Sequence, residues 1–398
     1  MRVLLLNQVF HPDPQATSQY LSRLALGLVR EGHEVTVLTS RRDYEEPGKL
    51  HPPREIWQGV QIIRVWNTGL GHGSKLGRMV DFLSFLFVAF WRCLFLKRAD
   101  VVIALTTPPL ISVLGALLSS IWNARFIYWV MDLNPDEAIA VGWLKPRGIM
   151  ARFLETASRW SLRAADKIVV PDTYMRDRVR GKAIPAEKLE VIPLWAQSGV
   201  AFDAAGRERF RRAHGLGDKF VVMYAGNHTL CHPLDPLIEA AGLLRGEGRI
   251  HFCFVGGGMD WPRLQAETAG WPNVTFLGYQ SEADLSALLS AADVQVVVMG
   301  EPFVGIIHPC KVYNFIATQR PFLVIGPERS HLANLIRDGG LEGVSSSFSP
   351  GETSALAENI LRRATTLESP LWPESGKLAP WSEKAILARW MPLIAASR

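Results

Sequence analysis

GIIHPCKVYNFIATQRPFLVIG, residues 305–326, reads as a helix running into a buried strand. VQVVVMG (294–300) stands just ahead of it, so the stretch completes a strand–helix–strand unit. Working outward, FVVMYAG (220–226), IHFCFVG (250–256) and VTFLG (274–278) repeat the scheme upstream. The first half does the same with RVLLLNQ (2–8), EVTVLTS (34–40), QIIRVW (61–66), DVVIALT (100–106), RFIYWVM (125–131), KIVVP (167–171) and LEVIPL (189–194). These runs are continuously apolar, as expected of parallel strands covered on both faces. Helical patterns fill the gaps, one of them over 16–31 and ending at Gly32. The expectation is an α/β protein of two Rossmann-like, doubly wound domains, residues 1–198 and 199–379, joined near the polar stretch Trp195–Ala205. A chain of 398 residues suits two cores better than one. Ligands of such sheets sit beyond the carboxyl ends of the strands, so two domains facing across a cleft are expected to hold the substrates there.

Composition fits a globular protein, with 48% hydrophobic and 20% charged residues and no low-complexity tract. Cys93, Cys231, Cys253 and Cys310 are not spaced for a disulfide framework or a zinc knuckle, which points to reduced thiols in a cytoplasm. The apolar run of MRVLLLNQVF is too short for a signal peptide, and HPDP follows it. Residues 1–200 hold 25 Lys/Arg against 18 Asp/Glu, whereas residues 201–398 hold 18 against 20. A basic first half suits an anionic membrane surface; no basic-aromatic stripe supports nucleic acid.

RMVDFLSFLFVAFWRCLFLKR (78–98) is apolar on almost every helical face. It is short for a crossing and Arg92 interrupts it. Two readings stay open: a buried core helix, or a helix lying in the bilayer interface with Arg78, Arg92, Lys97 and Arg98 at headgroup phosphates. The aromatic content of the run favours the second.

Three stretches in the second half carry chemistry. Residues 300–308 follow a strand, Pro309 suits a first helical position, and Lys311 falls in the first turn with Asn314 one turn on. A lysine there opposes the helix dipole unless an anion balances it, so His308, Lys311 and Asn314 read as a phosphate site. MYAGNHTLCHPLDPLIEAA (223–241) repeats the layout: Gly226 and Asn227 permit close backbone approach, and His232 stands beside Pro233. Either histidine alone would be an ordinary helix-entry residue, and the His/Cys pairs are not spaced as a zinc site. FVGGGMDWPRLQ (254–265) places Gly256, Gly257 and Gly258 between strand and helix, a weak nucleotide-contact pattern without the dinucleotide or P-loop spacing. In the first half YWVMDLNPDEAIAVG (128–142) ends a strand with Asp132, Asp136 and Glu137. These carboxylates either serve a hydroxylated substrate or cap a helix.

The order GHEVTVLT (32–39), YAGN (224–227), FVGGG (254–258), VTFLGYQSEADLSALLSAADV (274–294) and HPCKVYNFIATQRPFLVIG (308–326) resembles family-4 glycosyltransferases of the GT-B fold. Pro309–Cys310–Lys311, TTPPL (106–110) and DLNPDE (132–137) are similar to the subgroup that includes fucosamine transferases of O-antigen assembly. The resemblance implies a nucleotide-sugar donor, UDP-linked, on the second domain, an acceptor on the first, and retention of anomeric configuration. It also implies that 380–398 returns as a helix to the first domain. Ile306 and Asn314 stand where the family usually carries glutamates, His232 where it carries lysine, and Ala16–Thr17–Ser18 where it carries a glycine pair. On this reading Lys311, His232 and His308 stabilise the leaving diphosphate, Asp132 or Glu137 orients the acceptor, and neither metal nor other cofactor is required. Helix 78–98 favours a lipid-linked or other glycan acceptor and a peripheral place on the inner face of the cytoplasmic membrane. A GT-B epimerase or hydrolase, and a non-catalytic glycan-binding subunit, are the alternatives.

Overall fold

The computed structural model describes residues 1–43, 46, 48–70, 74–366 and 370–396. The chain forms two compact units, one of Met1–Pro193 with Gly305–His308 and Lys384–Arg398, the other of Leu194–Val304 with Pro309–Glu383.

The first unit is built on eight strands: β1 (Arg2–Leu6), β2 (Glu34–Ser40), β3 (Arg54–Trp57), β4 (Val60–Val65), β5 (Val101–Ala104), β6 (Arg125–Trp129), β7 (Lys167–Val170) and β8 (Leu189–Val191). Their order is β3-β4-β2-β1-β5-β6-β7-β8. All neighbours are parallel except β3 and β4, which close a hairpin through Gln58 and Gly59, both at positive φ. The second unit holds β9 (Phe220–Asn227), β10 (Ile250–Gly257), β11 (Val274–Leu277), β12 (Val294–Val298), β13 (Phe322–Ile325) and β14 (Ser345–Phe348), all parallel, in the order β11-β10-β9-β12-β13-β14. The apolar runs explain this layering. Every residue of β5, β6, β12 and β13 is buried, as helices on both faces require. Strand order reverses between β1 and β5 and between β9 and β12, which places a crevice beyond the carboxyl ends at each switch.

The helix Glu383–Ala395 buries Ile386, Leu387, Trp390 and Ile394. The Trp390 ring meets Trp129 edge-on at 4.6 Å, and Gly27 leaves room for Leu387 beside the helix Ala16–Arg30. Arg125 closes the end with a 2.6 Å bond to the Ala396 carbonyl.

The aromatic helix spans Lys75–Leu94, so it starts earlier and stops sooner than the apolar run suggests. Ser74 caps it, accepting from the Gly77 amide. It is not a wholly buried core helix. Asp81, Phe85, Ala89 and Cys93 face inward, and Asp81 takes hydrogen bonds from Asn67, Thr68 and Gly69. Leu76, Met79, Val80, Leu83, Phe87 and Trp91 form an exposed stripe. No helix among the described residues is long and apolar enough to cross a membrane.

Candidate functional site

The second unit's switch point gathers most of the residues singled out above. β9 ends at Gly226–Asn227 and β10 at Gly256–Gly257, side by side in register. Gly226, Gly256 and Gly258 have φ of 144°, 125° and 142°. A Cβ at Gly256 would overlap the Gly226 carbonyl, and one at Gly258 the His228 carbonyl. Only glycine suits these turns, and the result is bare backbone at the strand ends.

Lys311 reaches this place from the helix Lys311–Ala317, which follows β12. Its Nζ is buried without a hydrogen-bond partner, 3.7 Å above the Tyr224 ring centroid. A Cβ added to Gly226 would lie 2.6 Å from that nitrogen. Burial pulls the Lys311 pKa from 10.5 down to about 7. Among the described residues no carboxylate pairs with it, so nothing in the fold offsets the cost of its burial in the charged form. The helix has only seven residues, so Lys311 itself, more than the helix dipole, carries the charge.

His232 differs from its expected role. Its Nδ1 lies 2.8 Å from the Val298 carbonyl, which can only accept, so the proton sits on Nδ1 and Nε2 offers a lone pair. Burial, then Lys311, lowers its pKa to about 3. His232 is therefore neutral and does not supply charge to a diphosphate. It also precedes its helix, Asp235–Leu243, by three residues instead of opening it. Asn314 is committed in part, because its Oδ1 accepts from the Gln197 amide at 2.8 Å.

His308 falls in a different unit from Lys311. Residues 305–308 belong to the first unit. There the Ile306 carbonyl accepts from the Leu133 amide and His308 Nδ1 lies 2.7 Å from Asp172 Oδ2. Sequence adjacency suggested one pocket, but the chain changes unit between His308 and Pro309.

In the first unit, Asp132 and Glu137 follow β6. Burial, and for Asp132 the neighbouring Glu137 charge, push their pKa values up. Asp136 is excluded from this pair: its Oδ2 accepts from Lys182 Nζ at 2.7 Å, and Lys182 also holds Glu155. Asp13, Asp43 and His51 bring three potential metal-ligand atoms within 4.8 Å of one another, but Lys49 already lies 3.5 Å from Asp43.

Three residues were missed. Tyr224 carries the Lys311 contact and bonds the Asn227 carbonyl at 2.9 Å. His228, fully buried between Tyr224 and Trp261, shapes the glycine turn through its main chain. Tyr279 is exposed, with its hydroxyl 3.3 Å from the Gly257 carbonyl. Tyr224 shares a strand face with Gly226, two residues on, and that period was the available signal.

Residues 16–195 match the family described as glycosyl transferase 4-like domain, and residues 219–365 match glycosyl transferases group 1. The chain is 26% identical over 375 residues to the Escherichia coli (strain K12) protein named "Putative colanic acid biosynthesis glycosyl transferase WcaI", covering 90% of this chain and 91% of that one. It shares its fold with the sucrose-phosphate synthase of Thermosynechococcus elongatus, with a TM-score of 0.74, 17% identity and 99% and 98% of the two chains covered. It also shares it with Anabaena Alr3699/HepE, solved in complex with UDP-glucose, with a TM-score of 0.71, 15% identity and 99% of each chain covered. The chain is thus a GT-B glycosyltransferase, with a glycosyl transferase 4-like domain followed by a glycosyl transferases group 1 domain.

Proposed function

We propose that the protein moves a sugar from a nucleoside diphosphate sugar, UDP-linked, to a hydroxyl of a lipid-linked or other glycan acceptor, with retention, in cell-surface polysaccharide assembly. The observation that carries this reading is the buried Lys311 ammonium with no hydrogen-bond partner among the glycine tips of β9 and β10. The name of the Escherichia coli relative supports the polysaccharide setting, and the UDP-glucose complex of the Anabaena protein supports the donor class.

The chemical task is to accommodate negative charge on the diphosphate as the glycosidic bond breaks. Lys311 supplies a cation at low dielectric, and the glycines at 226 and 256–258 let a diphosphate approach the main chain closely. Removing one such group typically costs about 3 kcal/mol of barrier, on the order of a hundredfold in rate. His232 Nε2 accepts a hydroxyl of the donor rather than donating to phosphate. The Asp132–Glu137 pair keeps a proton at neutral pH and orients the acceptor hydroxyl, whose own proton passes to the departing phosphate. On this reading Lys311 carries the balancing charge and the scheme invokes no metal. The exposed stripe of Lys75–Leu94 rests on the inner face of the cytoplasmic membrane.

A thermal-shift series with nucleoside diphosphates and their sugars tests the donor. A ligand at a hundred times its Kd adds about 2.7 kcal/mol of stability. UDP is expected to stabilise the wild type and to have no effect on Lys311→Ala, whose turnover is lost. An equal shift in the variant rejects the site. Release of free or epimerised sugar from donor alone, at the rate seen with acceptor, would favour a hydrolase or epimerase instead.

A further inference from the structure

A second concave site lies in the first unit, over one side of its sheet. It is a groove of about 530 Å³ framed by the starts of β1 and β2, by the edge pair β3 and β4, and by the chain leaving the helix Lys75–Leu94. Arg54, Arg92 and Lys97 line it, and among the described residues none of the three has a carboxylate within 4 Å. The other charges there are mostly used internally: Arg2 pairs with Asp100, and Glu55 with Arg64 at 2.6 Å. Glu34 is the remaining acid.

The rim is apolar. Ile56 is 76% exposed and Phe95 81% exposed. Phe95, which caps the helix Lys75–Leu94, follows Phe87 and Trp91 at spacings of four residues. Three unpaired cations call for an anion, and a free phosphate would gain nothing from large exposed hydrocarbon beside it. A bilayer supplies both groups in this order, phosphate at the surface and acyl chain just beneath.

We propose that this groove binds the phosphate headgroup of an anionic phospholipid, with Arg54, Arg92 and Lys97 on the phosphate and Ile56, Phe95 and Trp91 entering the acyl boundary. The groove converts a general affinity of the aromatic helix for membranes into a preference for anionic ones. The inference rests on the membrane reading of that helix and is independent of the donor site.

The test is flotation of the full chain with vesicles of phosphatidylcholine alone, or with one-third phosphatidylglycerol. Wild type is expected to partition at least tenfold better onto the anionic vesicles. Replacing Arg54, Arg92 and Lys97 together by Gln should lower that partition by on the order of a hundredfold, if each cation contributes fully. Glu34→Gln should raise it several-fold, which a merely structural residue would not do. The UDP-induced thermal shift should be the same in all three proteins. Equal partition of wild type onto neutral and anionic vesicles overturns the headgroup site while sparing the helix reading. No partition onto either overturns both. Loss of anionic partition in millimolar inorganic phosphate, at constant ionic strength, would reassign the groove to a free anion. Should the triple variant melt early, the Glu34→Gln result decides.

Discussion

Replacing Lys311 by Met should make the empty protein more stable and the enzyme useless. The side chain keeps its length and its seat over Tyr224 but loses its charge. Burial lowers the Lys311 pKa from 10.5 to about 7. At about 1.36 kcal/mol per pKa unit, the folded state forfeits up to about 5 kcal/mol relative to an unfolded chain that keeps the proton. The sign follows from proton counts. Between pH 7 and 10.5 the unfolded chain binds a proton that the folded one has released, so wild-type stability rises with pH across that window. The advantage of Met is therefore full below pH 7 and gone above 10.5. With relaxation taking part of it, a gain of roughly 2–4 kcal/mol near pH 6 would raise Tm by on the order of 5–15 °C in a unit of this size. Bound diphosphate should restore the charge. UDP binding at pH 8 then takes up nearly one proton, which calorimetry in buffers of different ionisation enthalpy reads directly, and little at pH 6. A variant that melts lower at pH 6, or keeps the UDP shift, refutes the reasoning, as does proton-neutral binding at pH 8.

Gly258→Ala forces a Cβ against the His228 carbonyl at φ 142°, and should cost about 1–3 kcal/mol in thermal melts while abolishing the UDP shift. Asp132 has a raised pKa, so above the ordinary carboxylate range near 4 the folded state holds a proton that the unfolded chain has lost, and this contribution worsens as pH rises. Asp132→Asn should therefore melt higher than wild type at pH 8 but not at pH 4. Trp390→Ala removes a fully buried ring from against Trp129 and should cost about 3–5 kcal/mol in the first unit, with loss of near-ultraviolet dichroism from the indole pair.

Most strands were legible because burial on both faces leaves an unmistakable apolar run; β2 (Glu34–Ser40) coincides with its predicted span. Two strands were not. β3 is a short, half-exposed edge, and β14 is largely serine, held by its pairing with β13 and not by any preference of its own. Glycine signals located the turns at 226 and 256–258, since positive φ is written into residue type. The state of each ionisable group was not written there. Lys311 and His232 look alike in sequence as cations beside a strand end, yet one lacks a hydrogen-bond acceptor and the other is locked neutral by a carbonyl 66 residues away. His308 and Lys311 fall in different units although near in sequence, since adjacency says nothing about which unit a residue belongs to.

The split composition of the first unit bears on synthesis. The helix Glu383–Ala395 follows the entire second unit in chain order, yet Trp390 belongs against Trp129. While a ribosome adds the intervening residues, at about 5–20 per second, Trp129 must wait for its neighbour for on the order of ten seconds or more. During that interval the nascent first unit leaves uncovered the face of the Trp129 indole that Trp390 later meets.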